Sequence, residues 1–112
     1  MSKAKTRLKI YKYIKKWTWL LGLRWWSVNV HYVQDKKGLK HYFQSSKGTT
    51  AYANVFADWR YNEASMYINL PAFSRLSREK IERTILHELC HILVCEMREG
   101  EMHHEERVVT GL

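Results

Sequence analysis

Two histidines one helical turn apart, with a glutamate between them, are the residues best suited to chemistry in this chain. They form His87-Glu88-Leu89-Cys90-His91, an H-E-x-x-H. On a helix, positions i and i+4 share a face, so both imidazoles can reach one divalent ion. Glu88 lies about 100° around the helix from His87. From there it reaches a water on the ion rather than the ion itself. Zinc held by two imidazoles and one further protein ligand, with a fourth position open, is the arrangement of a hydrolytic site. The ion acidifies the water, and Glu88 takes the proton and passes it to a leaving amine. With six His in 112 residues, chance supplies only roughly 0.02 to 0.03 such motifs. Glu88 is also the one charge between positions 84 and 95. A carboxylate and two imidazoles in so apolar a stretch need partners, which a metal supplies. An ordinary core helix, its His and Glu bonded to neighbours, is the plainer alternative.

A third ligand has to come from elsewhere. His103, His104, Glu105 and Glu106 follow the motif. Periodicity puts Glu105 on the face of Val108, Val109 and Leu112. A histidine at 103 or 104 would serve zinc equally well. Cys95, one turn beyond His91, reads as a packing thiol before a ligand. His31 and His41 read as solvated or hydrogen-bonded rings. Tyr61 and Tyr67 are candidates for steadying an oxyanion, although no spacing singles them out.

These residues need a scaffold. Ile10, Ile14, Trp17 and Leu21 recur with helical spacing, and Gly22 is placed to stop that helix. From Trp25 the period becomes two. Trp26, Val28, Val30 and Tyr32 alternate with Ser27, Asn29 and His31 as in a half-buried strand. Positions 35–48 are polar and read as a loop, with a turn at Asp35-Lys36-Lys37-Gly38. A second strand is expected over 49–59. A third carries Met66, Ile68 and Leu70 and closes at Pro71. Ser77 then caps a long helix over roughly 78 to 97, with Ile81, Ile85, Leu89 and Ile92 as its buried row. Gly100 is expected to end it, and His104 to Leu112 to form a short C-terminal helix carrying the third ligand. The expected fold is α+β: an N-terminal helix, a small three-stranded, mostly antiparallel meander, the long H-E-x-x-H helix and the short helix.

The chain of 112 residues and 13.5 kDa is expected to form a single domain over 1–112. Hydrophobic residues at 46% and charged residues at 27% exclude wholesale disorder. Five Gly and one Pro exclude a collagen-like or low-complexity chain. No uncharged run approaches the roughly 20 residues of a membrane span. Cys90 and Cys95 fall on different helix faces, poorly placed for a disulfide, which fits reduced thiols in the cytoplasm. The net charge is +8, and residues 1–16 hold seven Lys or Arg and no acid. The basicity therefore belongs to the N-terminal helix, residues 1–22. Tyr11, Tyr13, Trp17, Trp19, Trp25 and Trp26 lie in or just after it. Such a segment suits a nucleic acid or an anionic membrane. It equally suits a helix that packs its regular apolar row on the sheet and solvates its lysines.

The stretch Thr84-Ile85-Leu86-His87-Glu88-Leu89-Cys90-His91-Ile92-Leu93 resembles the extended signature of H-E-x-x-H zinc metallopeptidases. The order of elements over most of residues 25–112 resembles the small forms of that class, the minigluzincins and related phage and bacterial metallopeptidases. That resemblance implies a zinc peptidase with His87 and His91 as ligands and Glu88 as general base. Its pattern of a ligand Glu followed by a small and a polar residue selects Glu106, with Val109 and Thr110 behind it. It also implies that the strand ending Tyr67-Ile68-Asn69-Leu70 is an edge strand aligning peptide substrate by β-addition. A histidine ligand would instead resemble the SprT-like proteases, which act on DNA-bound proteins. The basic N-terminal helix fits that variant. A nucleic-acid-binding module with a structural H-E-x-x-H is the alternative outside enzymes.

Overall fold

The computed structural model describes residues 2–43 and 51–111, with backbone alone from 99 to 111. Helix α1 spans Lys3–Leu20. Ser2 caps it, its hydroxyl accepting from Lys5 N–H at 3.2 Å. The end is a Schellman closure: Leu23 N–H donates to Thr18 O at 2.8 Å and Gly22 N–H to Trp19 O at 3.2 Å. Gly22 sits at φ +73°, where a side chain is strained. This stop is the one the sequence marks.

Strand β1 (Ser27–Val33) leads into helix α2 (Lys36–Phe43). Residues 36–43 are therefore helical, where a loop was expected. Leu39 N–H donates to Asp35 O at 2.9 Å, opening the helix. Gly38 serves close packing rather than a turn: a Cβ there would lie 2.8 Å from Val33 Cγ1 and 2.5 Å from Asp35 Oδ1. Strand β2 (Ala53–Asp58) is shorter than the expected 49–59, and positions 49 and 50 lie outside the described residues. A tight turn with Asn62 at φ 52° connects it to β3 (Glu63–Asn69). Asn69 then caps a four-residue helix, α3 (Leu70–Phe73), its Oδ1 accepting from Ala72 N–H at 3.2 Å.

The sheet order is β1-β3-β2, with β1 parallel and β2 antiparallel to β3. It is thus a mixed sheet, not the mostly antiparallel meander expected. A parallel pair needs a crossover, and the connection read as a loop supplies one through α2 and β2. The strand ending at Leu70 is consequently central, not an edge. Its Ala64, Met66 and Ile68 are buried while Ser65 and Tyr67 face the other way.

The last helix, α4, spans Arg78–Gly111. It does not stop at Gly100, and residues 104–111 form no separate short helix. One glycine costs about 1 kcal/mol in a helix interior, and the neighbours Met97, Arg98, Glu99, Glu101 and Met102 are all good helix formers. Both long helices cover one sheet face. Ile10 and Ile14 of α1 meet Ile81, Ile85, Leu89 and Ile92 of α4 and Met66 and Ile68 of β3 in one core. Lys16 Nζ pairs with Glu82 across the helices at 3.1 Å, and Trp26 Nε1–H donates to Glu96 Oε2 at 3.0 Å. These bonds pin α4 on both sides of the H-E-x-x-H stretch. Helix α2 lies against the opposite sheet face, where Tyr42 stacks on Tyr67 at 4.3 Å.

Candidate metal centre

Ser77 caps α4, its hydroxyl accepting from Lys80 N–H at 3.3 Å and its carbonyl from Ile81 N–H at 2.9 Å. The buried row from Ile81 to Ile92 then sets the rotation of the helix. Leu89 points into the core, and His87 and His91 turn to solvent one above the other. Their Nε2 atoms stand 3.2 Å apart, with the rings at 89° to one another. Two nitrogens bound at about 2.0–2.1 Å to one tetrahedral zinc stand roughly 3.3 Å apart. The pair therefore has the spacing of a two-imidazole bite. Without an ion, the same distance lets one ring N–H donate to the other ring.

Glu88 is different in kind. It is only 8% exposed, held at the edge of the core by its position next to Leu89. A ligand atom from each of His87, Glu88 and His91 lies within 4.8 Å of the others. Burial pushes the Glu88 carboxyl above the usual carboxylate range, while His91 and then His87 pull it back. Burial dominates because a carboxylate loses hydration there and the imidazoles repay it only when charged. A carboxyl raised above its ordinary range beside two exposed nitrogens has the character of a proton acceptor. Among the described residues, these are the only side chains of metal-binding type brought together in a group of three.

Other candidates are placed elsewhere. Cys95 is not among the converging atoms. Tyr67 is stacked on His31 at 4.8 Å and on Tyr42 at 4.3 Å on the opposite sheet face, which takes it out of reach of an oxyanion at α4. His31 is thereby also accounted for, as a stacked ring, and His41 meets Tyr42 edge-on at 4.6 Å. Tyr61 lies exposed in the β2–β3 turn beneath Arg60. The side chains of His103, His104, Glu105 and Glu106 lie outside the described residues. Their backbone continues α4, which carries position 106 fifteen residues past His91, about 22 Å along the axis at helical rise.

One element that sequence reading assigned elsewhere is β2. It packs against α4 and forms the sheet edge on that side. Asn69 N–H donates to Tyr52 O at 2.9 Å, so the polar backbone groups of Tyr52, Asn54 and Phe56 turn toward β3. Those of Ala53, Val55 and Ala57 turn away from it. The sequence signal was the length of the β1–β2 connection, long enough for a crossover that moves β2 to the far edge.

A family model, that of the SprT-like family, matches residues 25–107. The match covers the sheet and α4 through the H-E-x-x-H and the acidic stretch after it. No curated protein and no solved structure matches the chain.

Proposed function

The chain belongs to the SprT-like family, a metallopeptidase-like family, and on that premise we propose that it is a zinc-dependent peptidase. The observation that carries the reading is the exposed His87–His91 pair, 3.2 Å apart, over the buried carboxyl of Glu88. His87 and His91 would hold the ion. Zinc, when bound, supplies Lewis acidity toward a peptide carbonyl and makes a water more acidic. Glu88 accepts the proton of the attacking water and returns it to the amine leaving from the cleaved bond. Its burial keeps the carboxyl poised to take that proton, and the helix backbone holds it one residue from a ligand.

Glu106 is the proposed third protein ligand, with Glu105, His103 and His104 as the other donors of that stretch. For any of them to reach His87 and His91, α4 has to turn back on itself. Gly100 is the position at which a turn costs least, since only glycine takes left-handed backbone freely. A peptide or protein substrate lies along β2, whose outward amides and carbonyls at Ala53, Val55 and Ala57 can pair with an extended chain.

Metal analysis of protein purified without chelator is expected to find about one zinc per chain. Glu88→Gln should retain the zinc and lose hydrolysis of a labelled casein by roughly a hundredfold or more. His91→Ala should lose both. Absence of zinc from the purified parent, together with failure to take it up on titration, would remove the reading.

A further inference from the structure

Helix α1 exposes more apolar surface than a helix that only covers the sheet would. Its inward row is Thr6, Ile10 and Ile14. On the outward side stand Leu8, 70% exposed, and Trp19, 64% exposed, with Tyr11 beside them. Trp25, in the turn after the helix, is 81% exposed. Leaving such side chains in water is unfavourable by about 1.5–3 kcal/mol each relative to an apolar environment, so several on the outward side of one helix and the turn after it mark a surface that meets something.

The rim is basic. Lys15 Nζ lies 4.9 Å from the centre of the Tyr11 ring, and Arg24 lies 4.7 Å from that of Trp19. A hollow of about 540 Å³ at the start of the helix is lined by Ser2, Lys5, Leu8, Lys9, Lys12 and Arg78. Four cations and no acid share it, with an aliphatic side chain among them. Lys9 is held below the usual lysine range by desolvation first and then by Arg78 and Lys12. A phosphate in the hollow would relieve that crowding.

The charge narrows the occupant. A second copy of the chain would bring seven more cations from its own residues 1–16, so self-association through this face is opposed. A nucleic acid would satisfy the cations and could stack on Tyr11, Trp19 and Trp25, but the exposed aliphatic Leu8, set among Lys5, Lys9 and Lys12, gives a base no ring and an acyl layer something to cover. Indoles and aliphatics flanked by lysines and arginines are the composition that lies in a headgroup layer, rings at the interface and cations on phosphates. We propose that the outward face of α1 and the turn after it dock on an anionic membrane surface, with Leu8, Trp19 and Trp25 at the interface and Lys5, Lys9 and Lys12 on lipid phosphates. This is separate from the peptidase reading and needs no membrane-spanning helix; among the described residues no helix is long and apolar enough to cross one.

The test is sedimentation of the full chain with vesicles of phosphatidylcholine alone and of phosphatidylcholine with phosphatidylglycerol at about three to one. The parent should pellet with the mixed vesicles, far less with phosphatidylcholine, and less as salt rises. Replacing Lys5, Lys9 and Lys12 together by Gln should weaken binding by about a hundredfold, about fivefold for each lysine near the surface. Trp19→Ser with Trp25→Ser should weaken it by at least about tenfold while leaving the far-UV spectrum and melting temperature unchanged, because both rings are exposed. No pelleting with the mixed vesicles overturns the proposal. So does pelleting that neither set of substitutions reduces. Tight binding of a single-stranded oligonucleotide that displaces the vesicles and is lost with the two tryptophans would assign the face to nucleic acid instead, and equally overturns it.

Discussion

Glu88, the proposed general base, occupies a position that carries a cost in stability. It sits one residue before Leu89, which is fully buried, and between two histidines that are exposed. A helix cannot bury position 89 and expose 87 and 91 without leaving 88 at the boundary. The carboxyl there titrates above its ordinary range because burial outweighs the pull of His91 and His87. The sign of the consequence follows from linkage. A carboxyl whose folded pKa is raised binds its proton more tightly in the folded state. The unfolded chain therefore loses the proton first as pH rises, and stability falls from the ordinary Glu range, about 4.3, up through Glu88's own pKa. Above it the loss is complete and constant. Glu88→Gln in metal-free protein removes this term. The variant should melt higher than the parent at pH 7, and the two should converge as the pH is lowered toward 4.5. Urea melts at the two pH values measure it. A variant less stable than the parent at pH 7 would mean that the carboxylate is held by partners strong enough to offset its burial.

At the level of elements, the buried faces of the two long helices were legible and the connections were not. The row Ile81, Ile85, Leu89 and Ile92 is fully buried where the 3.6 period puts it, and Gly22 closes α1 where the apolar spacing ends. The alternation in β1 and β3 likewise shows which residues face the helices. Strand order was hidden, because period two tells which face a residue takes but not which neighbour a strand pairs with. The polar stretch 36–43 concealed a helix, and with it the crossover that makes β1 parallel to β3 and β2 the edge beside α4. Gly100 misled in the opposite direction: it marks a weak point in α4 rather than its end. The residues of the H-E-x-x-H could be read from spacing alone, since three residues within five positions of one helix need no tertiary information. The proposed third ligand could not, since that depends on where a distant segment returns. This separates two expectations for Gly100→Ala. The substitution should stabilise the continuous helix by about 1 kcal/mol. If a ligand from 103–106 reaches His87 and His91 only when α4 turns at Gly100, zinc affinity should fall about fivefold in a competition titration, and Glu106→Gln should weaken it further. Unchanged affinity in both variants would show that Glu106 is not the third ligand and that no turn at Gly100 is needed to bind zinc.

Taken as a whole, the molecule builds its core without the ion. Every member of the central cluster, from Ile10 and Ile14 through Met66, Ile68 and Phe73 to Ile92, is apolar. The two imidazoles project from the outer side of the helix that closes that core. This is the reverse of a small domain whose metal replaces a missing core, where folding and binding are one event. The basic helix α1 is likewise held by its own apolar row and by Lys16–Glu82. Chelation should therefore leave the far-UV spectrum nearly unchanged and lower the melting temperature only by the linkage to zinc binding. That linkage amounts to about 2.7 kcal/mol when zinc stands a hundredfold above its dissociation constant. Ile85→Ala, in contrast, opens a cavity under the site and should cost roughly 2–5 kcal/mol whether or not zinc is present. Calorimetry of parent and variant, each with zinc and with chelator, tests both statements together. Collapse of helicity on chelation of the parent would show that the ion is part of what folds the chain, and that α4 presents its histidines only because zinc draws them together.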